Sequence, residues 1–263
     1  MPEFRAVEAN LRESFRLLAI GRAKADVLEL PGVTIASLGV TFQMFNAAFL
    51  SGPVSGPKEL EARLNLARNH FTSRQLPWAL WVCEDWLDWQ TRRGLLRSCE
   101  RCGLRLSSEL PGMVATGLSP VKRELPALDF QRVDSERALA DFRGIGAVSF
   151  HVPTQWFSEV FDATVLTERR DFCCWVAYRD SEPVATAASV ISNGALGLYN
   201  IATAPALRGR GFAEAVTRHV VHSELTGRAP VPVVLQSTAL GFRLYERLGF
   251  RTVTRIRVFN SNH

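Results

Sequence analysis

No apolar run in this sequence approaches the roughly 20 residues that a membrane-spanning helix needs, so a membrane protein is not expected. Residues 1–22 set Glu3, Arg5, Glu8, Arg12, Glu13 and Arg16 among their apolar positions. They lack the uninterrupted apolar core of a signal peptide, and a cytoplasmic location is expected. Cysteine is scarce and odd in number, and Cys83, Cys99, Cys102, Cys173 and Cys174 do not make a secreted disulfide framework. Cys99 and Cys102 have CxxC spacing, but no second CxxC and no histidine cluster accompany them. They also fall late in an expected helix, so neither a zinc site nor a redox pair is expected, and no metal is called for. No repeat of short fixed period occurs. No GK[ST] follows a glycine loop, so a Walker A is not indicated.

What is present fits a folded α/β protein. Apolar residues make up 47% and charged residues 22%, which is enough to bury a core. A length of 263 residues suits one large domain or two compact ones. The net charge of +5 reads either as an arginine-rich surface or as a preference for an anionic ligand. Because the basic residues are spread along both halves without a dense block, nucleic acid is disfavoured as that ligand.

A boundary is expected near residue 125. Leu110-Pro111-Gly112 and the stretch 117–126 hold three prolines and break regular structure. The chain is therefore divided into residues 1–125 and 126–263. In the second half, 128–133 reads as a strand and 135–148 as a helix capped by Ser135. Residues 153–166 form a helix begun by Pro153. The runs 172–178, 183–191 and 195–203 read as a strand meander with turns at 179–182 and 192–194. A helix follows over 211–225, with Phe212, Ala215, Val216, His219 and Val220 as its buried face. Then come a strand at 231–236 and a Thr238-capped helix with Leu240, Leu244 and Leu248 on one face. Gly249 stops that helix, and 250–259 forms a last strand. The expected fold is α/β, an α+β layered structure with a mixed, mostly antiparallel twisted sheet flanked by helices.

The first half is less regular. Strands are expected at 33–40, 44–50 and 78–83, and helices at 57–72 and 91–102. Gly103 and an extended segment at 104–109 follow. Trp78, Trp81, Trp86 and Trp89 read as core and interface residues. The order helix, Gly103-Leu104 and strand is a weak echo of helix, Leu248-Gly249-Phe250 and strand.

The chemistry is concentrated in Arg208-Gly209-Arg210-Gly211-Phe212-Ala213, which follows a strand and opens a helix. Glycines there let backbone approach a ligand. The first amides of a helix lack internal partners, and the helix dipole favours an anion at that end. A solvent-facing turn with two arginines would read the same way.

A second element decides between these readings. Leu244-Tyr245-Glu246-Arg247-Leu248-Gly249-Phe250 follows one strand later. Together these segments resemble the GNAT acetyltransferase superfamily over about residues 127–258. Arg208, Gly209, Gly211 and Ala213 match the [QR]-x-x-G-x-[GA] loop, and residues 244–250 match the second cofactor motif. Ile201-Ala202-Thr203-Ala204-Pro205 looks like the end of the family's splayed central strand. The resemblance implies an N-acetyltransferase that moves an acetyl group from acetyl-CoA to a primary amine by direct attack, through a tetrahedral intermediate. It implies backbone contacts to the cofactor from Ile201, Ala202 and Thr203, and pyrophosphate binding by Arg208, Gly209, Arg210, Gly211, Phe212 and Ala213. Thr238 stands where many members carry Asn, and Gly241 where many carry Ala. Tyr245 would protonate the leaving thiolate. For the general base the central strand offers no carboxylate; Tyr199 acting through a water is the choice, with His151 as another candidate. The first half would be a degenerate copy that has lost the cofactor. The expected partner is a small-molecule or peptide amine, and a homodimer is left open. A non-catalytic acetyl-CoA-binding or sensing protein is the alternative function.

Overall fold

A computed structural model describes residues 2–166 and 171–262. The chain forms two compact units that trade ends: Met1–Ser14 with Met113–Arg251, and Phe15–Gly112 with Thr252–His263. The division read at residue 125 is thus replaced by an interleaved one. Within the described residues no helix is long and apolar enough to cross a membrane, and no group of three His, Cys, Asp or Glu could hold a metal ion.

The larger unit has five strands in the order β10-β9-β8-β7-β6. They are β6 (Asp129–Arg132), β7 (Phe172–Arg179), β8 (Glu182–Ser192), β9 (Ala195–Thr203) and β10 (Val233–Gln236). The first four pair antiparallel, and β10 runs parallel to β9. The turns are made by Asp180, Ser181, Asn193 and Gly194, all at positive φ, as tight hairpins require. Helix α6 (Phe212–Leu225) packs Phe212, Val216 and Val220 on Trp175, Ala187 and Leu198. Helix α4 (Glu136–Phe150) lies on the other face, because alternating side chains turn Tyr178 away from Trp175 and bond its hydroxyl to Asp141 at 2.8 Å. Ser135 caps α4 by accepting the Ala138 amide.

Several boundaries moved for identifiable reasons. The helix expected over 153–166 is α5 (Thr154–Val160) and then a short 3₁₀ turn. Asp162 breaks it by accepting the Thr164 amide at 2.9 Å. The last helix, α7 (Phe242–Arg247), starts after a turn in which the Thr238 carbonyl accepts the amides of Gly241 and Phe242. Leu240 therefore lies outside the helix and is 72% exposed, rather than sharing a face with Leu244 and Leu248. Gly249 does end α7, at φ 97°.

The second unit carries β1 (Asp26–Leu30), β2 (Val33–Ser37), β3 (Asn46–Leu50), β4 (Ala79–Cys83) and most of β11 (Arg251–Ser261), in that order across its sheet. Helix α2 (Pro57–Ser73) links β3 to its parallel neighbour β4. Helix α3 (Trp89–Arg101) leads into β5 (Leu104–Ala115). Two antiparallel pairs and a parallel pair joined by a helix repeat the order of β7, β8, β9, α6 and β10. Both units are thus mixed, mostly antiparallel sheets flanked by helices, as the α/β reading expected. The strands expected at 33–40 and 44–50 are shorter because Gly39 turns at φ 68°. Buried Asn46 fixes that turn by accepting the Gly39 and Val40 amides. The expected break at Leu110-Pro111-Gly112 does not occur, and β5 runs straight through it. Trp78, Trp81 and Trp86 are buried, but Trp89 is 70% exposed beneath the Arg93 guanidinium.

Helix α1 (Glu3–Ala19) adds an element that the sequence reading does not contain. Its residues up to Ser14 belong to the larger unit, where Asn10 is fully buried. From Phe15 onward it joins the second, and Phe15 packs on Phe45, Phe49 and Trp81.

Candidate functional site

The site begins where β9 and β10 part. They pair at Val233–Leu196 and Val234–Gly197. Opposite Ala187 of β8, β9 then inserts both Asn200 and Ile201, because Thr186 faces Ala202 and Ala188 faces Tyr199. Asn200 takes φ 48°, and its carbonyl is held by the Thr186 hydroxyl at 3.0 Å. Such a bulge bends and twists its strand. Beyond Gly197 the pairing with β10 stops, and among the described residues β9 from Leu198 to Thr203 has no partner strand on that side. An unpaired strand edge is a template for an extended ligand.

Polar atoms without protein partners mark the same end of the unit. The Thr203 hydroxyl at the end of β9, the Gln236 amide nitrogen at the end of β10 and the Ser149 hydroxyl near the end of α4 are all buried and have no bond among the described residues. Buried polar atoms are rarely left unpaired, and a ligand that bonds them would account for all three. Sequence reasoning misses both Ser149 and Gln236, because a strand-end Gln and a helix-end Ser carry no motif.

Past Thr203 the chain makes a 3₁₀ turn at Pro205–Leu207 and then the glycine loop. Gly209 and Gly211 take φ 79° and 88°, where a side chain is strained. Gly211 is the N-cap of α6 and supplies no side-chain cap. The amides of Gly211, Phe212, Ala213 and Glu214 therefore have no helical acceptor and sit at the positive end of the helix dipole. Arg210 is exposed. The Arg208 guanidinium instead turns back to donate to the Thr203 carbonyl at 3.3 Å and the Ser149 carbonyl at 3.2 Å. Its side chain ties α4 to the end of β9, and its part in the loop is the backbone.

Tyr245 is buried, lies edge-on to Phe250 and packs over Gly241. A Cβ on Gly241 would sit 2.9 Å from the Tyr245 ring, so the glycine makes room for this tyrosine. Burial holds its phenol well above the ordinary tyrosine range, and the group stays protonated. Its hydroxyl has no hydrogen-bond partner among the described residues.

Tyr199, expected as a base through water, has its hydroxyl engaged within the fold. Its hydroxyl donates to Asn10 Oδ1 at 2.7 Å, and desolvation pushes its pKa up. A phenol that is already a donor and resists ionisation is a poor proton acceptor. Asn10 in turn donates to the carbonyls of Val190, Ser192 and Ala195. His151 is also accounted for otherwise: at φ 55° it is the exposed C-cap of α4 and its amide bonds Ala147. Thr238 Oγ1 accepts the Gly241 amide at 3.3 Å and fixes the turn before α7.

An edge open to an extended arm thus leads to amides suited to an anion. Residues 170–252 match the family model described as "Acetyltransferase (GNAT) domain". The match to this family is thus carried by residues 170–252, which hold β7 to α7 and both motifs. The whole chain is similar in fold to a GCN5-related N-acetyltransferase from Kribbella flavida, with TM-score 0.74, 17% identity, and 98% of this chain and 95% of that one covered. A conserved protein of unknown function from Staphylococcus epidermidis covers 90% of this chain and 94% of its own at TM-score 0.66 and 12% identity. A GCN5-related N-acetyltransferase from Sphaerobacter thermophilus matches at TM-score 0.56 and 15% identity, over 88% of this chain and 76% of its own. No curated protein matches the chain in sequence.

Proposed function

We propose that the C-terminal half is an N-acetyltransferase that moves an acetyl group from acetyl-CoA to a primary amine. The observation that carries this reading is the unpaired edge of β9 ending at uncapped α6, with Thr203, Ser149 and Gln236 left unbonded around it. Acetyl-CoA would supply the acetyl group as an activated thioester. Backbone groups of Ile201, Ala202 and Thr203 would bond its amide-bearing arm, as an added strand is bonded. The amides of Gly211, Phe212 and Ala213, with those of Gly209 and Arg210, would hold the pyrophosphate. A free N–H on the bulged stretch of β9 would also stabilise negative charge building on the carbonyl oxygen under attack. Tyr245, kept protonated by burial, would deliver a proton to the departing sulfur.

The test is release of free thiol from acetyl-CoA with a panel of amines: amino acids, polyamines, peptides and aminoglycosides. Acceptor-dependent release supports the reading. Binding of acetyl-CoA with no release from any amine favours the second reading, a non-catalytic binding or sensing protein. One observation favours that second reading: the Tyr199 hydroxyl is committed to Asn10, and β9 carries no carboxylate to take the amine's proton. No thermal stabilisation at millimolar acetyl-CoA would overturn both, since a true binder at one hundred times its Kd gains about 2.7 kcal/mol.

A further inference from the structure

The stretch 117–126 is a strap across both cofactor motifs of the larger unit. The Ser119 amide donates to Leu248 O at 2.9 Å, and the Ser119 carbonyl accepts from Arg218 at 2.7 Å. A Cβ on Gly249 would lie 2.8 Å from Ser119 Oγ, and one on Gly211 would lie 3.2 Å from Pro126 and 3.4 Å from the Arg123 guanidinium. The strap thus passes close to Gly249 and Gly211, and delivers Arg123 to the start of α6.

There it meets an electrostatic problem. Glu214 is buried in the first turn of α6, beside the amides that would receive phosphate. Arg218 engages one of its oxygens at 3.0 Å. Arg123 stands 3.5 Å from the other. The Arg123 side chain is 53% exposed. Its planar fork carries five donors, far more than one long ion pair uses. Arg208 is drawn off to carbonyls, whereas Arg123 and Arg210 are exposed.

We propose that Arg123 is a binding residue for the phosphates of coenzyme A, supplied by the segment between the two halves rather than by either motif. This rests on the cofactor reading above. Arg123 both offsets Glu214 and adds charge-assisted bonds to the anion. The phosphate it meets is either the pyrophosphate or the 3′-phosphate.

Calorimetric titration of wild type, Arg123→Gln and Arg123→Lys with coenzyme A, dephospho-coenzyme A and 4′-phosphopantetheine tests this. Arg123→Gln is expected to weaken coenzyme A binding by about tenfold or more, with a shallower salt dependence. Arg123→Lys, which keeps the charge but not the fork, is expected to fall in between. Equal loss with dephospho-coenzyme A places the contact at the pyrophosphate, and loss confined to coenzyme A places it at the 3′-phosphate. Wild-type affinity in Arg123→Gln overturns the proposal. Glu214→Gln separates a merely structural role: if Arg123 only neutralises Glu214, the double variant recovers full affinity, and that too overturns it. Failure of wild type to bind coenzyme A would sink the cofactor reading itself.

Discussion

Among single residues, the two tyrosines named from the sequence have different surroundings and predict different outcomes. Tyr245 has a hydroxyl with no partner among the described residues and a phenol kept neutral by burial. Tyr245→Phe is expected to lower turnover by roughly a hundredfold, the usual worth of a general acid, while Kd for acetyl-CoA moves little. Steady-state rates beside calorimetric Kd values check this, and unchanged turnover would remove it as the acid. Tyr199→Phe is expected to do the reverse. Losing its bond to Asn10 should cost about 1 kcal/mol of stability in urea unfolding, with turnover kept. A large fall in turnover in that variant would restore Tyr199 as a proton carrier.

Among the elements, the bulge in β9 and helix α1 share one buried residue. Asn10 closes the ends of β8 and β9 through three carbonyls and accepts the Tyr199 hydroxyl. It fits because Gly197 has no side chain: a Cβ there would lie 1.8 Å from Asn10 Oδ1 and 2.7 Å from the Tyr199 ring. Gly197→Ala is therefore expected to destabilise the fold by about 1–3 kcal/mol, the range of overpacked cores. Denaturant midpoints at constant m would show it. The helix was missed although its pattern was legible, since Val7, Leu11, Phe15 and Leu18 recur at helical spacing with Glu8 and Arg12 paired at i,i+4. Asn10 was not, because a polar residue on an apolar stripe looks like a break in the pattern until its partners, about 180 positions away, are brought beside it.

Across the whole molecule, the second unit repeats the topology but closes the counterpart of the site. After β3, Val54 donates its amide to Trp86 O at 2.8 Å and bridges Leu87, and its side chain is buried. Glu59, from α2 itself, accepts the Ser55 amide at 2.6 Å, where an external anion would otherwise bind. Arg63 ties down the carbonyls of Gly52 and Pro53. One coenzyme A per chain is therefore expected in titration calorimetry, and a stoichiometry of two would show that this unit opens. Stability should also depend on pH. Burial lowers the pKa of His219 in one unit and His70 in the other. Below the unfolded value of about 6.5, the unfolded chain takes up protons that the folded chain refuses, so stability is lost as pH falls through that window. Melting temperatures at neutral and mildly acidic pH should show the drop, and His219→Gln with His70→Gln should flatten it.

The local devices of this protein are written in its sequence. The glycine loop, the Ser135 cap, the Gly249 stop and the strand meander depend on backbone conformation and short-range periodicity, which residue types specify within a few positions. Two motifs at the right separation were enough to carry the resemblance to GNAT acetyltransferases, and the family model matches residues 170–252. Which groups remain free was settled by the folded arrangement alone. Arg208 was drawn away to carbonyls, and Tyr199 was taken by a helix whose residue lies at the far end of the chain. Arg123 was delivered to α6 by a strap that reads locally as a simple break. Hydrogen-bond commitment and charge neutralisation are set by neighbours in space, and those neighbours are distant in sequence.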